Sequence, residues 1–195
     1  MLWKTTALMF ALAIAPPRAA APADVTPPSV PVNLEVPAGH NVFLIAQAEG
    51  TQNYICMPSA TGVTWTFLGP QATLFDGQPE QVMTHFLGLN PAENNTPRAT
   101  WQHSRDTSTV WAVAIANSSD PNFVARNAIP WLLLQIVGTQ HGPTGGDKMT
   151  RTTFIQRVNT AGGVAPVTGC RAAKDVGKRA LVPYTTDYVF YTAND

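Results

Sequence analysis

Charged side chains are scarce in this sequence. Only 12% of its 195 residues are Asp, Glu, Lys or Arg, which is about half of the usual ~25%. Twelve basic and twelve acidic residues give a formal net charge of zero. A nucleic-acid surface needs a clustered excess of basic residues, so this balance argues against nucleic acid as a partner. The composition instead predicts a neutral surface built mostly from Ser, Thr, Asn, Gln and Pro.

The sequence has no apolar run that predicts a membrane span. The apolar run at residues 5–15 has 11 residues, whereas a transmembrane helix needs about 20. It follows Lys4, it ends at Pro16-Pro17, and small residues of the A-x-A type follow at 19–23. This order is typical of a cleaved export signal. We therefore predict a signal peptide over residues 1–23 and an exported protein, either periplasmic or extracellular.

Cysteine is equally scarce, with Cys56 and Cys170 as the only two residues of this type. In an oxidising compartment such a pair is most simply a disulfide. The alternative is a redox-active or metal-binding thiol pair. The sequence has no C-x-x-C motif, and neither cysteine has a histidine within ten residues, so the structural bridge is favoured. It would tie an early strand to a late loop.

The common catalytic motifs are missing. There is no G-x-S-x-G elbow, no H-E-x-x-H zinc motif and no G-x-G-x-x-G after a predicted strand. The glycine-rich stretch at residues 142–148 resembles a phosphate-binding loop, but its Gly and Lys are separated by Asp147 and the spacing fails. These absences favour a protein that is not an enzyme and that holds no cofactor.

Histidine supplies the one alternative that involves catalysis. His85 and His103 lie on adjacent predicted strands, while His141 and Asp106 lie in predicted loops. Three or four such ligands converging at one end of a β domain would suit Zn²⁺ or Cu²⁺. The sequence has no His-x-His pair to place two ligands on one strand face. A small metal-dependent envelope enzyme using His85 and His103 is thus the alternative hypothesis.

Proline marks the start of the mature chain. Residues 24–37 contain Pro27, Pro28, Pro31 and Pro37, a density that favours extended chain over helix. We predict a tether here, with one short edge strand at 30–36. The compact part then follows as a single β domain over residues 38–195.

Short segments with alternating apolar residues fill that domain. Residues 41–48 and 52–57 flank Glu49-Gly50-Thr51 and are predicted to pair as a hairpin, as are residues 99–103 and 109–117. Further strands are predicted at residues 63–68, 72–75, 81–87, 131–137, 152–158 and 188–192. Eight to ten short strands with turns between them predict an all-β fold, either an antiparallel β-sandwich or a Greek-key barrel.

Two late segments carry further candidate residues. Gln156 and Arg157 are neighbours on a predicted strand, so their side chains point to opposite faces. An inward Arg157 would need a carboxylate or several carbonyls, and Asp187 is the predicted partner in a structural ion pair. Tyr184, just before the last strand, is the best candidate for an exposed aromatic residue.

Several motifs together resemble a known family. They are Tyr54-x-Cys56, Trp65-Thr66-Phe67-x-Gly69-Pro70, His85-Phe86, Ile129-Pro130-Trp131, Phe154-Ile155-Gln156-Arg157-Val158, Cys170 and Pro183-Tyr184-x-x-Asp187-Tyr188. In this order they resemble the exported bacterial and fungal proteins of domain-of-unknown-function family 3455, from about residue 40 to the C-terminus. Residues 94–100 depart from the pattern of many relatives. The resemblance implies a secreted domain with paired cysteines, and it transfers no catalytic residues.

The motifs of the chain are architectural in character, since Trp, Gly-Pro, Gly-Gly and Cys residues hold a fold together. The first hypothesis is therefore an exported, disulfide-bridged β domain that acts as a binding protein or as a structural component of the envelope or cell surface. Aromatic side chains on its surface would suit a glycan or a cell-envelope protein as partner.

Overall fold

The computed structural model describes residues 26–194, so the predicted signal peptide lies outside the described part of the chain. The eight strands are β1 His40–Ser59, β2 Gly62–Phe75, β3 Gln81–Asn90, β4 Thr96–His103, β5 Thr109–Ser118, β6 Trp131–Gln140, β7 Thr152–Gly162 and β8 Arg179–Ala193. Three 3₁₀ turns accompany them, at Val32–Leu34, Pro91–Glu93 and Ala173–Asp175.

The strands form one closed barrel in which each strand pairs antiparallel with the next along the chain, and β8 pairs with β1. This chain order makes the barrel an up-and-down type. The predicted all-β class is confirmed, and of the two predicted architectures the structure has the barrel and not the sandwich. Closure pairs every strand on both sides, which leaves no open sheet edge.

The first predicted hairpin is wrong, because residues 41–48 and 52–57 belong to one continuous strand, β1. Gly50 does not form a turn. It lies opposite Ala72 of β2, and a side chain at position 50 would overlap the backbone of that strand. A glycine inside a strand permits such a close approach where a barrel wall bends. The predicted second hairpin, residues 99–103 with 109–117, is confirmed as β4 and β5.

Part of the proline-rich segment packs against the barrel. The predicted edge strand at 30–36 is a 3₁₀ turn instead. Its Leu34 is fully buried in an outer hydrophobic cluster on the barrel wall, and the Leu34 carbonyl accepts a hydrogen bond of 2.6 Å from Gln156 Nε2. Tyr191 donates to the other atom of the same amide, Gln156 Oε1. Residues 30–36 are therefore anchored to the barrel.

One end of the barrel, which we call the closed end, is covered by the loop between β6 and β7. This loop carries Met149 into the barrel core, where it is almost completely buried. The carboxylate of Asp106 holds the loop, since it accepts hydrogen bonds from Lys148 N at 2.9 Å and from Ser108 N at 3.0 Å. Ser108 Oγ in turn donates to Asp106 and accepts from Met149 N.

The opposite end, which we call the open end, is flanked by the long β1–β2 hairpin and the β7–β8 connection. The predicted disulfide is confirmed: Cys56 and Cys170 are bonded, with their Cα atoms 5.5 Å apart. It joins the hairpin to that connection across 114 positions of sequence. Trp65 Nε1 adds a hydrogen bond of 3.1 Å to the Thr168 carbonyl. The hairpin is thereby fixed beside the open end.

Candidate functional site

The open end leads into a cavity on the barrel axis. Its volume is about 230 Å³ and residues from all eight strands line it, so it lies inside the barrel and not on an outer face. The cavity exists because inward positions of this layer carry small side chains, among them Ala99, Ala112 and Ala114. Layers nearer the closed end are filled by larger residues such as Leu74, Met83 and Phe190. We call this space the mouth cavity.

Three aromatic rings form the floor of the mouth cavity. His85 on β3 lies opposite Trp101 on β4, and their rings are stacked with centroids 4.1 Å apart and an interplanar angle of 14°. The Tyr188 ring stands edge-on to both, at 5.0 Å from His85 and 5.2 Å from Trp101. All three side chains are buried. Edge-to-face and stacked contacts of this kind fix ring orientations, so the floor is rigid.

His85 is neutral and its tautomer is set by the backbone. Its Nδ1 lies 2.8 Å from the Thr100 carbonyl oxygen, and because a carbonyl can only accept, Nδ1 carries the proton. Burial lowers the pKa of His85 to about 3, against the opposing effect of this hydrogen bond and with a smaller contribution from Arg157. The ring therefore carries no charge at neutral pH, and its Nε2 is the unprotonated nitrogen.

Arg157 brings a positive charge to the cavity wall. It projects from β7 and is half-buried. Its Nε and Nη2 both donate to the Pro130 carbonyl, at 3.2 and 2.8 Å. Burial raises the pKa of Tyr188, and the nearby Arg157 charge acts in the opposite direction. Among the described residues no carboxylate forms an ion pair with this guanidinium.

Two side chains that line the mouth cavity, Gln52 and Trp101, carry a buried donor without an acceptor, as Trp111 and Trp131 do elsewhere in the barrel. Gln52 is 3% exposed and Trp101 is fully buried, yet Gln52 Nε2 and Trp101 Nε1 make no hydrogen bond of normal geometry. The amide of Gln52 lies beside the Tyr184 hydroxyl. A buried polar group without a partner costs about 1–3 kcal/mol. The cavity thus combines an apolar interior with donors that lack acceptors.

The predicted metal ligands are not brought together. His85 lies in the cavity floor, whereas His103 lies at the closed end, where its Nδ1 faces the backbone N–H groups of Arg105 and Asp106. His141 is exposed on the loop after β6. The register places His103 opposite Met83 and not opposite His85. No group of three His, Cys, Asp or Glu residues within 26–194 has the arrangement of a metal site.

The predicted partners Arg157 and Asp187 are also apart. Arg157 lies opposite Tyr188 across the β7–β8 pair, and Asp187 lies opposite Val158. Alternation along a strand sends these two side chains to opposite faces of the barrel wall. Asp187 accepts a hydrogen bond of 2.7 Å from Asn159 Nδ2 on the outside. Arg157 donates to a backbone carbonyl, the other kind of partner that the sequence allowed, and not to the carboxylate of Asp187.

Sequence reasoning missed Gln52 and treated Trp101 only as a core residue. A signal was present, because Ala46, Ala48, Gly50 and Gln52 alternate along the inward face of β1. A polar residue that ends a series of small inward residues marks space inside a barrel. Tyr184 was expected at the surface, but it is 2% exposed. That prediction is wrong because β8 already begins at Arg179, which places Tyr184 within the barrel wall.

Two other hollows are weaker candidates for a site. One of about 400 Å³ lies at the closed end beside His103, and its charged groups compensate one another, since Arg105 pairs with Glu80 at the exposed rim. The other, about 360 Å³, is a groove on the outside of the barrel beside Leu181. Neither has buried donors without acceptors, so the mouth cavity is the better candidate.

Taken together, residues 26–194 form a closed, eight-stranded antiparallel β-barrel with a cavity at one end. The chain belongs to the family described as protein of unknown function (DUF3455), which it matches over residues 37–192. The resemblance seen in the sequence is thereby confirmed. No curated protein and no solved structure matches the chain. Within residues 26–194 no helix has the length and apolar character needed to cross a membrane.

Proposed function

We propose that this protein is an exported binding protein and that a small molecule occupies its mouth cavity. The observation that carries the proposal is the set of unpartnered donors on Gln52 and Trp101 beside a rigid aromatic floor. Natural proteins rarely leave buried polar groups unsatisfied. A ligand that supplies acceptors to these donors would remove their cost.

The shape of the site supports a small molecule over a protein partner. The aromatic rings lie at the bottom of a cavity, and a protein surface cannot reach them without inserting a side chain. Ligand sites are commonly concave and mostly apolar, with a few fixed polar groups, and barrel mouths are frequent locations. The rim is apolar as well, since Phe67 and Leu87 line the cavity and are 49% and 45% exposed.

The cavity volume limits the size of the ligand. Sites for drug-sized ligands usually measure about 300–1,000 Å³, whereas the mouth cavity measures about 230 Å³. A single aromatic ring or short acyl chain with one polar group is therefore the expected scale. For a glycan, this space would accommodate one sugar unit at most.

Export is part of the proposal. The Cys56–Cys170 bridge is compatible with an oxidising compartment, and the signal pattern at residues 1–23 supplies the route. A binding protein for small molecules in the periplasm or outside the cell fits both features. The alternative role as a metal-dependent enzyme gains no specific support from the positions of His85 and His103.

The proposal is tested by screening the mature, oxidised protein against small aromatic and acyl compounds by NMR. The indole signal of Trp101, assigned by Trp101→Phe, reports on the cavity floor, while those of Trp65, Trp111 and Trp131 report on other sites. We expect ligands to shift the Trp101 signal in a saturable way. Compounds that shift only the other indoles, or no saturable shift at all, would contradict the proposal.

A blocking variant and a matched control sharpen this test. Ala114→Phe introduces a ring at the cavity mouth, where Ala114 is exposed and has room for it. Leu181→Phe places the same ring in the groove outside the barrel, where Leu181 is 62% exposed. We expect the first substitution to weaken binding at least about tenfold and the second to leave it within about twofold. Equal effects would show that the ligand lies elsewhere.

A further inference from the structure

We infer that the ligand of the mouth cavity is a small organic acid whose carboxylate pairs with Arg157 and whose apolar part lies on the aromatic floor. The inference rests on the proposed function, since it assigns a chemical class to the same site. It follows from the charge, the free donors and the shape of the cavity.

Arg157 is the uncompensated charge of the mouth cavity. The second arginine that lines the space, Arg98, lies at the rim and is neutralised by two hydrogen bonds of 2.8 Å to the Glu93 carboxylate. Arg157 donates to a backbone carbonyl, and no carboxylate forms an ion pair with it among residues 26–194. A half-buried cation without a counterion is costly, and an anionic ligand would compensate it.

The other titratable groups near Arg157 are neutral. Burial raises the pKa values of Tyr54, Tyr184 and Tyr188 above the ordinary value for tyrosine, so their hydroxyls stay protonated. His85 is uncharged because its pKa is lowered to about 3. The interior of the cavity therefore carries a net positive charge at neutral pH. This charge disfavours cationic ligands and favours anionic ones.

The guanidinium of Arg157 has N–H donors that the Pro130 carbonyl does not use. Both hydrogen bonds to the Pro130 carbonyl use the Nε–Nη2 side. Arg has five N–H donors, so three remain on the terminal nitrogens, and one on each forms an end-on fork that matches a carboxylate in bidentate geometry. A carboxylate would there replace the side-chain contact that the guanidinium makes with the Tyr188 hydroxyl. The carbonyl holds the fork in place, because its neighbour Ile129 is fixed by hydrogen bonds from Thr160 Oγ and to Gly162 O.

The rest of the cavity selects an apolar body over a phosphate. Phosphate sites generally gather several cations or backbone N–H groups, whereas this cavity has one free arginine. Its walls include Phe67, Leu87 and Leu132, and its floor is the His85–Trp101 stack. A ligand with a monoanionic head and an aromatic or short aliphatic body fits both the Arg157 charge and the apolar walls. The Gln52 amide can donate to the same acid or to a further acceptor on the ligand.

The test compares an acid with its neutral amide of nearly equal shape. Phenylacetate and phenylacetamide are titrated into the mature, oxidised wild-type protein at pH 7, with the Trp101 indole signal as the readout. We expect the acid to bind at least about tenfold more tightly, equivalent to about 1.4 kcal/mol, and the preference to shrink as salt is added. Equal binding of the two probes would overturn the inference and leave the proposed function standing. No binding of either would contradict both.

Variants at the two arginines locate the preference. Arg157→Met is expected to abolish the preference for the acid while changing amide binding by less than about threefold. Arg157→Lys keeps the charge but lacks the fork, so an intermediate preference is expected. Arg105→Met is the matched control, because Arg105 is exposed at the closed end and away from the mouth cavity, and it is expected to leave the preference unchanged. If the only role of Arg157 is its hydrogen bonds to the Pro130 carbonyl, its variants would lower the thermal midpoint and weaken the binding of both probes equally. That result would overturn the inference. Should Arg157→Met not fold, the lysine variant and the wild-type salt series decide.

Discussion

At the scale of single residues, the protein separates polar groups that maintain the fold from polar groups without partners. The Asp106 carboxylate accepts hydrogen bonds that hold the covering loop, and the Gln156 amide donates to the Leu34 carbonyl and accepts from Tyr191. Gln52, Trp101 and Arg157 instead bring free donors into one cavity. The first group is expected to govern stability, and the second group is expected to govern binding.

Asp106 gives a prediction about stability and pH. Burial alone would raise the pKa of Asp106, but hydrogen bonds from Lys148 and Ser108 lower this pKa to about 2. Because the folded pKa lies below the unfolded value of about 3.9, this stabilisation is complete above about pH 4 and is lost as the pH falls towards 2. Asp106→Asn is expected to cost about 1.5–3 kcal/mol at pH 7 and to remove this part of the acid dependence.

The measurement is urea unfolding of the wild type and Asp106→Asn between pH 2 and pH 7. Asp147→Asn, an exposed acid in the same covering loop, is the control and is expected to stay within about 0.5 kcal/mol of the wild type. An equal loss for the two variants would show that the hydrogen bonds of Asp106 do not hold the closed end.

At the scale of elements, the sequence predicts the existence of strands better than their extent. Alternation in residues 81–87 and 109–117 identifies β3 and β5, and the nearly continuous apolar run at 131–137 identifies β6. The wrong prediction of a hairpin within β1 comes from Gly50, because a glycine is equally typical of a turn and of a strand position where a neighbouring backbone comes very close. Only the position of β2, which comes from the folded barrel, distinguishes these uses.

The outer cluster gives a prediction at this scale. Leu34 anchors the 3₁₀ turn to the wall between residues such as Trp131 and Val189. Leu34→Ala is expected to destabilise the protein by about 2–5 kcal/mol, the range for buried Leu truncations. The neighbouring Val32 is 82% exposed, so Val32→Ala is the control and is expected to have little effect. Chemical denaturation of both variants measures the difference. Comparable, small effects would mean that residues 30–36 act as a free tether.

The candidate site shows the same limit of sequence reasoning. The histidines were noticed because His85 and His103 lie on adjacent strands. Their separation follows from register, which fixes Trp101 opposite His85 and cannot be read from spacing. Arg157 has no carboxylate partner because Asp187 lies at a position of β8 whose side chain points to the opposite face of the barrel wall. Which residues of β7 and β8 share a face is fixed only when the strands pair in the folded barrel.

At the scale of the whole molecule, closure and the single disulfide act together. Consecutive strands pair around the barrel, and the bond between Cys56 and Cys170 then fixes the β1–β2 hairpin beside the open end. The mouth cavity exists only in this closed state, since all eight strands line it. Global stability and ligand binding are therefore expected to be linked.

Loss of the disulfide gives the prediction at this scale. The bridge closes a loop of 114 positions, for which the chain-entropy treatment gives about 4–5 kcal/mol. The Cys56→Ser, Cys170→Ser double variant is therefore expected to melt about 8–20 °C below the oxidised wild type. Scanning calorimetry of both, with reduced wild type alongside, measures this. A midpoint within about 2 °C of the wild type would show that the bridge contributes little to the barrel.

The central claim is that the mouth cavity binds a small organic acid through Arg157. A crystal structure of the mature protein with phenylacetate tests it most directly. The account predicts the ring against the His85–Trp101 floor and the two carboxylate oxygens about 2.7–2.9 Å from the terminal nitrogens of Arg157. A carboxylate directed away from Arg157 towards solvent, or a ligand bound outside the barrel, would contradict it.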